Sequence, residues 1–198
     1  MNRERGATLV EAAFAAPIFL VIVLSLIELS LVAHNTIEVS DVAQRGVRAA
    51  GVYDSQRHAD HEVLDAVTRT FGRIGTSDID YVVIFRIESV GDEMNPQCHV
   101  TSVSLASDPQ RPCNRYAAAD LARPYVEADG VTPTPHFGCG PSSLDQFWCP
   151  ADRQTSVAGN LDLVGVHIAA THRYLTGVIG ATRGISGLAI TQVEPRDA

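Results

Sequence analysis

The N-terminal quarter of the chain carries two hydrophobic patterns that follow each other without a break. From Ala12 to Ala33 the sequence is nearly all apolar, and 13 of these residues are Leu, Ile, Val or Phe. Beyond this segment, apolar residues recur at the spacing of one helix face. They are Val39, Val42, Ala43, Gly46, Val47 and Ala50. We therefore predict one helix over about residues 7–50, whose second half is amphipathic and packs its apolar stripe on the rest of the protein.

The remaining sequence predicts a small head of mixed secondary structure. An amphipathic pattern within residues 57–74 predicts a second helix. Residues rich in β-branched and aromatic types predict a strand over 81–88, and 100–105 is a weaker candidate. Alternation predicts strands over 161–172 and 188–193, with 176–187 as a turn region. Most of the prolines fall in residues 106–156, where we expect irregular loops and a short helix at 117–122. The expected fold class is α+β, a long helix packed on a small antiparallel sheet with disulfide-tied loops.

The apolar segment is long enough to cross a lipid bilayer. At about 1.5 Å per residue it forms a helix of roughly 33 Å, and a hydrocarbon core is about 30 Å thick. Its apolar side chains favour insertion by about 4–8 kcal/mol, which exceeds the roughly 3 kcal/mol that Glu28 costs. Arg3 and Arg5 precede the segment, so we expect the N-terminus in the cytoplasm and the head outside. A cleaved secretory signal is the alternative, but this segment exceeds the usual core of about 7–15 residues.

Four cysteines, all in the second half of the chain, predict a disulfide framework. They are Cys98, Cys113, Cys139 and Cys149. An even number of cysteines confined to the part outside the membrane is typical of an oxidising compartment, and three connectivities are open. We favour Cys98–Cys113 and Cys139–Cys149, since each pair closes a short loop. A zinc site is the competing interpretation, although neither pair has the short gap of a zinc knuckle.

The residues before the apolar segment combine a short basic leader, MNRERG, with a glutamate five residues after its glycine. Gly6 and Glu11 in this arrangement resemble the class III signal of type IV pilins. More specifically, GATLVEAAFAAPIFLVIVLSLIELSLVA is similar to the N-terminal segment of TadE-like proteins, minor pilins or pseudopilins of the tight-adherence (Tad) pilus. Major pilins of this system carry an aromatic residue after the glutamate, where this chain has Ala12, so a minor subunit fits better.

The resemblance implies cleavage by a prepilin peptidase between Gly6 and Ala7. Ala7 would then carry a free amine, which the Glu11 carboxylate of a neighbouring subunit could pair with inside an apolar bundle; an unpaired buried charge would cost several kcal/mol. The implied partners are the prepilin peptidase, other pilin-like subunits, the membrane and the inner-membrane assembly platform. We accordingly divide the chain into a leader (1–6), a transmembrane helix (7–34), its amphipathic continuation (35–52) and an extracytoplasmic head (53–198).

The alternative is a membrane-tethered extracytoplasmic binding module or enzyme that no prepilin peptidase cuts. We expect no enzyme, because the sequence offers no catalytic constellation, and neither a metal nor another cofactor. His58 and His61 lack the zincin order and are interpreted as a solvated helix face, while His167 and His172 fall on opposite faces of a strand. Phe137, Phe147 and Trp148 fill a small core or form an exposed contact patch. The net charge of −8 argues against nucleic acid.

Overall fold

The computed structural model describes residues 3–53, 55–71, 77–89, 91–100, 111–125, 137–140, 143–156 and 161–195. Within these ranges the side chains of residues 3–9 and 77 are left out of the description. The head lies in one α+β unit with the long helix, which confirms the expected fold class.

The long helix α1 runs from Arg3 to Tyr53 without interruption and includes Pro17. It begins and ends within a few residues of the predicted bounds. The predicted apolar stripe of its second half is buried, from Val39 to Ala50. Glu38, Asp41, Arg45 and Arg48 lie off this stripe at more exposed positions. The stripe therefore docks α1 on the head, as the amphipathic pattern predicts.

The head is built from a second helix and a four-stranded antiparallel sheet. Helix α2 covers Ala59–Phe71, and the strands are β1 (Ser77–Ile87), β2 (Cys113–Ala117), β3 (Leu163–Arg173) and β4 (Thr182–Gln192). Their order across the sheet is β2-β1-β3-β4, so β3 and β4 form a hairpin at one edge. In the described parts of the connecting segments, short 3₁₀ turns lie at Pro96–His99, Ala118–Asp120 and Pro150–Asp152.

Helices α1 and α2 cover one face of the sheet, and the main core lies between the two layers. Inward-facing residues of β1 and β3, such as Val82, Ile84 and Val166, pack there against the stripe of α1 and against Val63 and Val67 of α2. At the crossing of α1 over β4 a side chain at position 187 would lie 2.5 Å from the carbonyl oxygen of Val39. Only glycine permits this approach of the two backbones.

A smaller cluster covers the opposite face of the sheet. Val83, Phe85 and Ile87 of β1 pack there with the Cys98–Cys113 disulfide, which ties the Pro96–His99 turn to β2. The second disulfide joins Cys139 and Cys149. Both pairings are those favoured from the sequence.

Two predictions about the head are wrong in detail. Residues 113–117 fall in the segment expected to be irregular, but they form edge strand β2, because backbone pairing with β1 and the disulfide to Cys98 hold them there. The expected turn region at 176–187 is shorter, since β4 already begins at Thr182 and carries two glycines, Gly184 and Gly187, within the strand. The weak strand over 100–105 lies largely outside the described residues.

Candidate assembly site on the N-terminal helix

The first half of α1 is an exposed apolar surface. No residue from Val10 to Ile27 is buried by the head. The large exposed side chains of this segment are Val10, Phe14, Ile18, Phe19, Leu20, Val21, Ile22, Leu26 and Ile27. α1 is long and apolar enough to cross a membrane. A solvent-exposed apolar surface of this length is typical of a membrane or protein contact.

Glu11 lies in this exposed segment, one helical turn after Ala7. Gly6 and Ala7 have helical backbone within the first two turns of α1. The side chain of Glu11 is exposed and has neither a hydrogen bond nor an ion pair in the described part of the chain. The helix therefore presents an unpaired carboxylate among apolar residues, next to the position where the predicted cleavage would create an amine.

From Val10 onward, Glu28 is the first buried residue of α1, and its environment is the opposite of that of Glu11. Only 1% of it is exposed, because the tip of the β3–β4 hairpin covers it. We call residues 174–181, between the two strands, the hairpin tip. The Oε1 atom of Glu28 accepts hydrogen bonds from the backbone N–H of Thr176 at 2.5 Å and its hydroxyl at 2.7 Å, and Oε2 accepts one from the N–H of Leu175 at 3.2 Å. Three donors thus satisfy a carboxylate that would otherwise be costly here.

A second polar contact joins α1 to the hairpin two turns further along. Asn35 Nδ2 lies 2.8 Å from His172 Nδ1, and both residues are buried. The ring of His172 also contacts that of Tyr174 in the hairpin tip, with centroids 5.3 Å apart. His172 thus faces α1, whereas His167 lies on the other face of β3 near His99 and Tyr81, so the two histidines are separated as predicted.

Residues 6–48 match the family model of TadE-like proteins. The N-terminal segment is TadE-like. This match confirms the resemblance suggested by the sequence, and it covers about a fifth of the chain. No curated protein and no solved structure gives a significant match to the chain.

The TadE-like segment contains both carboxylates of the apolar half of α1, together with Gly6 and Ala7. It ends at Arg48, shortly before α1 itself ends at Tyr53. The head, from α2 onward, lies beyond the matched residues. The match therefore covers the exposed apolar surface and most of the part of α1 that docks on the head.

A buried polar network, which the sequence did not reveal, stabilises the far side of the head. Asp60 of α2 forms an ion pair with Arg153, and both side chains are fully buried. The hydroxyl of Tyr116 lies 2.7 Å from Asp60 Oδ2 and 2.7 Å from Asp145 Oδ1. Asn114 donates to Asp60 and exchanges hydrogen bonds with the backbone of Trp148. These residues are far apart in sequence, and only the fold brings them together.

The two carboxylates around Tyr116 cannot both be charged at low cost. A tyrosine hydroxyl has one proton, so only one carboxylate can accept it. Burial, and then the charge of Asp60, raise the pKa of Asp145 to about 7. Protonated Asp145 can donate to Tyr116, whose proton then goes to Asp60. Burial, and then the negative charges of Asp145 and Asp60, raise the pKa of Tyr116 well above its usual value.

The other residues singled out in the sequence serve packing. Phe137 and Trp148 are buried in the main core. Of the two interpretations offered for them, core filling is therefore correct and an exposed contact patch is not. The expectation of a solvated face at His58 and His61 is wrong: His58 precedes α2, and both rings contact Tyr125, with His61 also against Phe137. On the outer face of the sheet, burial and then the charge of nearby His99 lower the pKa of His167 to about 4.

The Glu28 contact predicts which variant releases the hairpin tip. Glu28→Leu leaves the N–H groups of Leu175 and Thr176 without an acceptor, which should cost about 1–3 kcal/mol. We expect faster hydrogen exchange at these two amides in the full chain, measured in detergent micelles. Glu28→Gln keeps an acceptor oxygen and should have a smaller effect. Glu38→Leu, at a more exposed position of α1, is the control; equal exchange rates in Glu28→Leu and wild type would contradict the role of Glu28.

The Tyr116 network predicts that the head loses stability as the pH rises. Because folding raises the pKa of Asp145 from 3.8 to about 7, the folded state holds a proton that the unfolded state has lost. Between about pH 4 and pH 7 the free energy of unfolding should fall by up to about 1.4 kcal/mol per pH unit. Asp145→Asn imitates the protonated carboxyl, so it should remove this slope. Denaturant titrations at several pH values measure the free energy of unfolding of wild type and Asp145→Asn. The same dependence on pH in both proteins would refute the prediction.

Proposed function

We propose that this protein is a minor pilin of the TadE type, which is anchored in the cytoplasmic membrane and acts in assembly of a Tad pilus and in adhesion. One observation carries the proposal: the TadE-like match coincides with an exposed apolar helix that presents the unpaired carboxylate of Glu11. The Glu28 carboxylate of the same helix is satisfied inside the subunit, which leaves Glu11 to a partner.

In this proposal α1 crosses the membrane with its N-terminus in the cytoplasm. Arg3 and Arg5 near the N-terminus support this orientation by the positive-inside rule. The exposed stretch Val10–Ile27 is about 27 Å long at about 1.5 Å per residue, so with Ala7–Leu9 it reaches the thickness of the hydrocarbon core. The head then lies outside, where its two disulfides are stable.

Cleavage between Gly6 and Ala7 by a prepilin peptidase would prepare the subunit for assembly. It removes the basic leader and leaves an amine on Ala7, one turn from Glu11 on the same helix. Within one subunit this amine and Glu11 are neighbours; between subunits, a shift along the bundle lets the carboxylate of one meet the amine of the next. Mutual neutralisation in the apolar bundle would then select one axial register. The assembly platform and other pilin-like subunits are the partners in this step.

The competing candidate is a tethered extracytoplasmic binding module or enzyme that keeps its leader. It would use α1 only as an anchor, and Glu11 would then only reach the headgroups. The network around Tyr116 does not favour an enzyme, because Asp60, Tyr116, Asp145 and Arg153 are all buried and are bonded to one another.

Mass spectrometry of the N-terminal peptide separates the two candidates. We expect the protein purified from its native membrane to begin at Ala7, with a methylated amine. A Gly6→Val variant alters the residue before the proposed cut, so it should keep all six leader residues and serve as the control. A wild-type chain that retains Met1, or one that starts at His34, would contradict the proposed processing and favour the tethered module.

A further inference from the structure

The hairpin tip is an apolar protrusion of the head. Leu175, Val178 and Ile179 are exposed by 65%, 46% and 44%, although each is a large hydrophobic residue. Gly177 adopts a φ of 70°, which turns the chain between them. Most other large exposed hydrophobic side chains belong to the first half of α1, so the tip is the main comparable apolar patch on the described head.

The tip lies beside α1 at the level where the exposed apolar segment ends. The hydrogen bonds from Leu175 and Thr176 to Glu28 fix this position. Ile27 and Leu29, the residues before and after Glu28, are both exposed. The exposed apolar residues of the tip therefore lie beside the end of the exposed apolar segment of α1.

The charges around the tip follow the pattern of a membrane interface. Arg173 and Arg183 flank it and are exposed, and no acidic residue occurs between them in the sequence. Glu28, the carboxylate that the tip covers, is buried. The exposed Asp78 of β1 forms an ion pair with Arg173, so Arg183 is the flanking arginine without an ion pair among the described residues. Tyr174, a residue type enriched at membrane interfaces, begins the tip. Arginines next to an apolar loop can pair with lipid phosphates while the loop enters the acyl region.

We propose that the hairpin tip inserts into the outer leaflet of the membrane beside α1, as a second lipid contact of the protein. Leu175, Val178 and Ile179 enter the boundary between acyl chains and headgroups, and Arg183 contacts phosphates. Glu28 stays shielded from lipid because the tip covers it. This contact rests on the membrane anchoring in the proposed function, but it requires neither leader cleavage nor entry into a pilus. It fixes the head against the membrane until the subunit is extracted.

Quenching of tryptophan emission by lipid-borne bromine tests this contact. The full chain is reconstituted in phosphatidylcholine–phosphatidylglycerol vesicles whose acyl chains carry bromine near the headgroups, which reaches the tip, or near the chain ends, which reaches Phe19 at mid-bilayer, and in matched vesicles without bromine. Three single variants are compared with the wild type, whose only tryptophan, Trp148, is buried. Phe19→Trp reports on α1, Val178→Trp on the tip, and Leu188→Trp on an exposed site of β4 about 23 Å along the strand from the tip.

We expect brominated lipid to reduce the emission of Phe19→Trp and Val178→Trp, and to leave Leu188→Trp at the wild-type level. If Phe19→Trp is quenched while Val178→Trp behaves like Leu188→Trp, the tip lies outside the lipid and the inference is wrong, whereas the membrane anchor stands. If Phe19→Trp is not quenched either, the anchor itself fails together with the tip. Ile179→Trp replaces Val178→Trp should that variant fail to fold, and must give the same result.

Discussion

A carboxylate in an apolar helix needs a partner, and the apolar half of α1 carries two carboxylates in opposite situations. Glu28 is satisfied within the subunit by three donors from the hairpin tip. Glu11 is exposed and has no partner in the described chain. Desolvating an unpaired charge is expensive. The Glu28 contact therefore stabilises the folded subunit, whereas Glu11 would gain its partner only in the proposed assembly.

The Glu28 contact also determines how the head is attached to the exposed apolar segment of α1. Glu11 and Glu28 are separated by about 26 Å of continuous helix at about 1.5 Å per residue. Together with Asn35 and the stripe beyond it, Glu28 holds the β3–β4 hairpin against α1. In the proposed assembly, a pull on α1 would therefore be transmitted to the sheet, because strands β3 and β4 contact the helix directly.

Local sequence patterns predicted most of the secondary-structure elements. The features that they did not predict depend on contacts between residues far apart in the sequence. The continuous apolar run and the stripe from Val39 to Ala50 were enough for α1, β-branched and aromatic residue types were enough for β1, and alternation was enough for β3. β2 could not be predicted, because its five residues are held by pairing with β1 rather than by their own pattern. At the site, Gly6 and Glu11 were found because they are close in sequence. The partners of Glu28 lie nearly 150 residues away, so its role could emerge only from the fold.

The most direct measurement of the proposed pairing is the amount of a Glu11→Ala variant in pili sheared from cells. Removal of the carboxylate should leave membrane insertion and the Ala7 terminus unchanged, because neither depends on a neighbouring subunit, while the protein disappears from the sheared fraction. Glu38→Ala, which removes a carboxylate of the same helix above the apolar segment, should reach the pili at the wild-type level. Wild-type amounts of Glu11→Ala in sheared pili would contradict the pairing of Glu11 with a neighbour's amine.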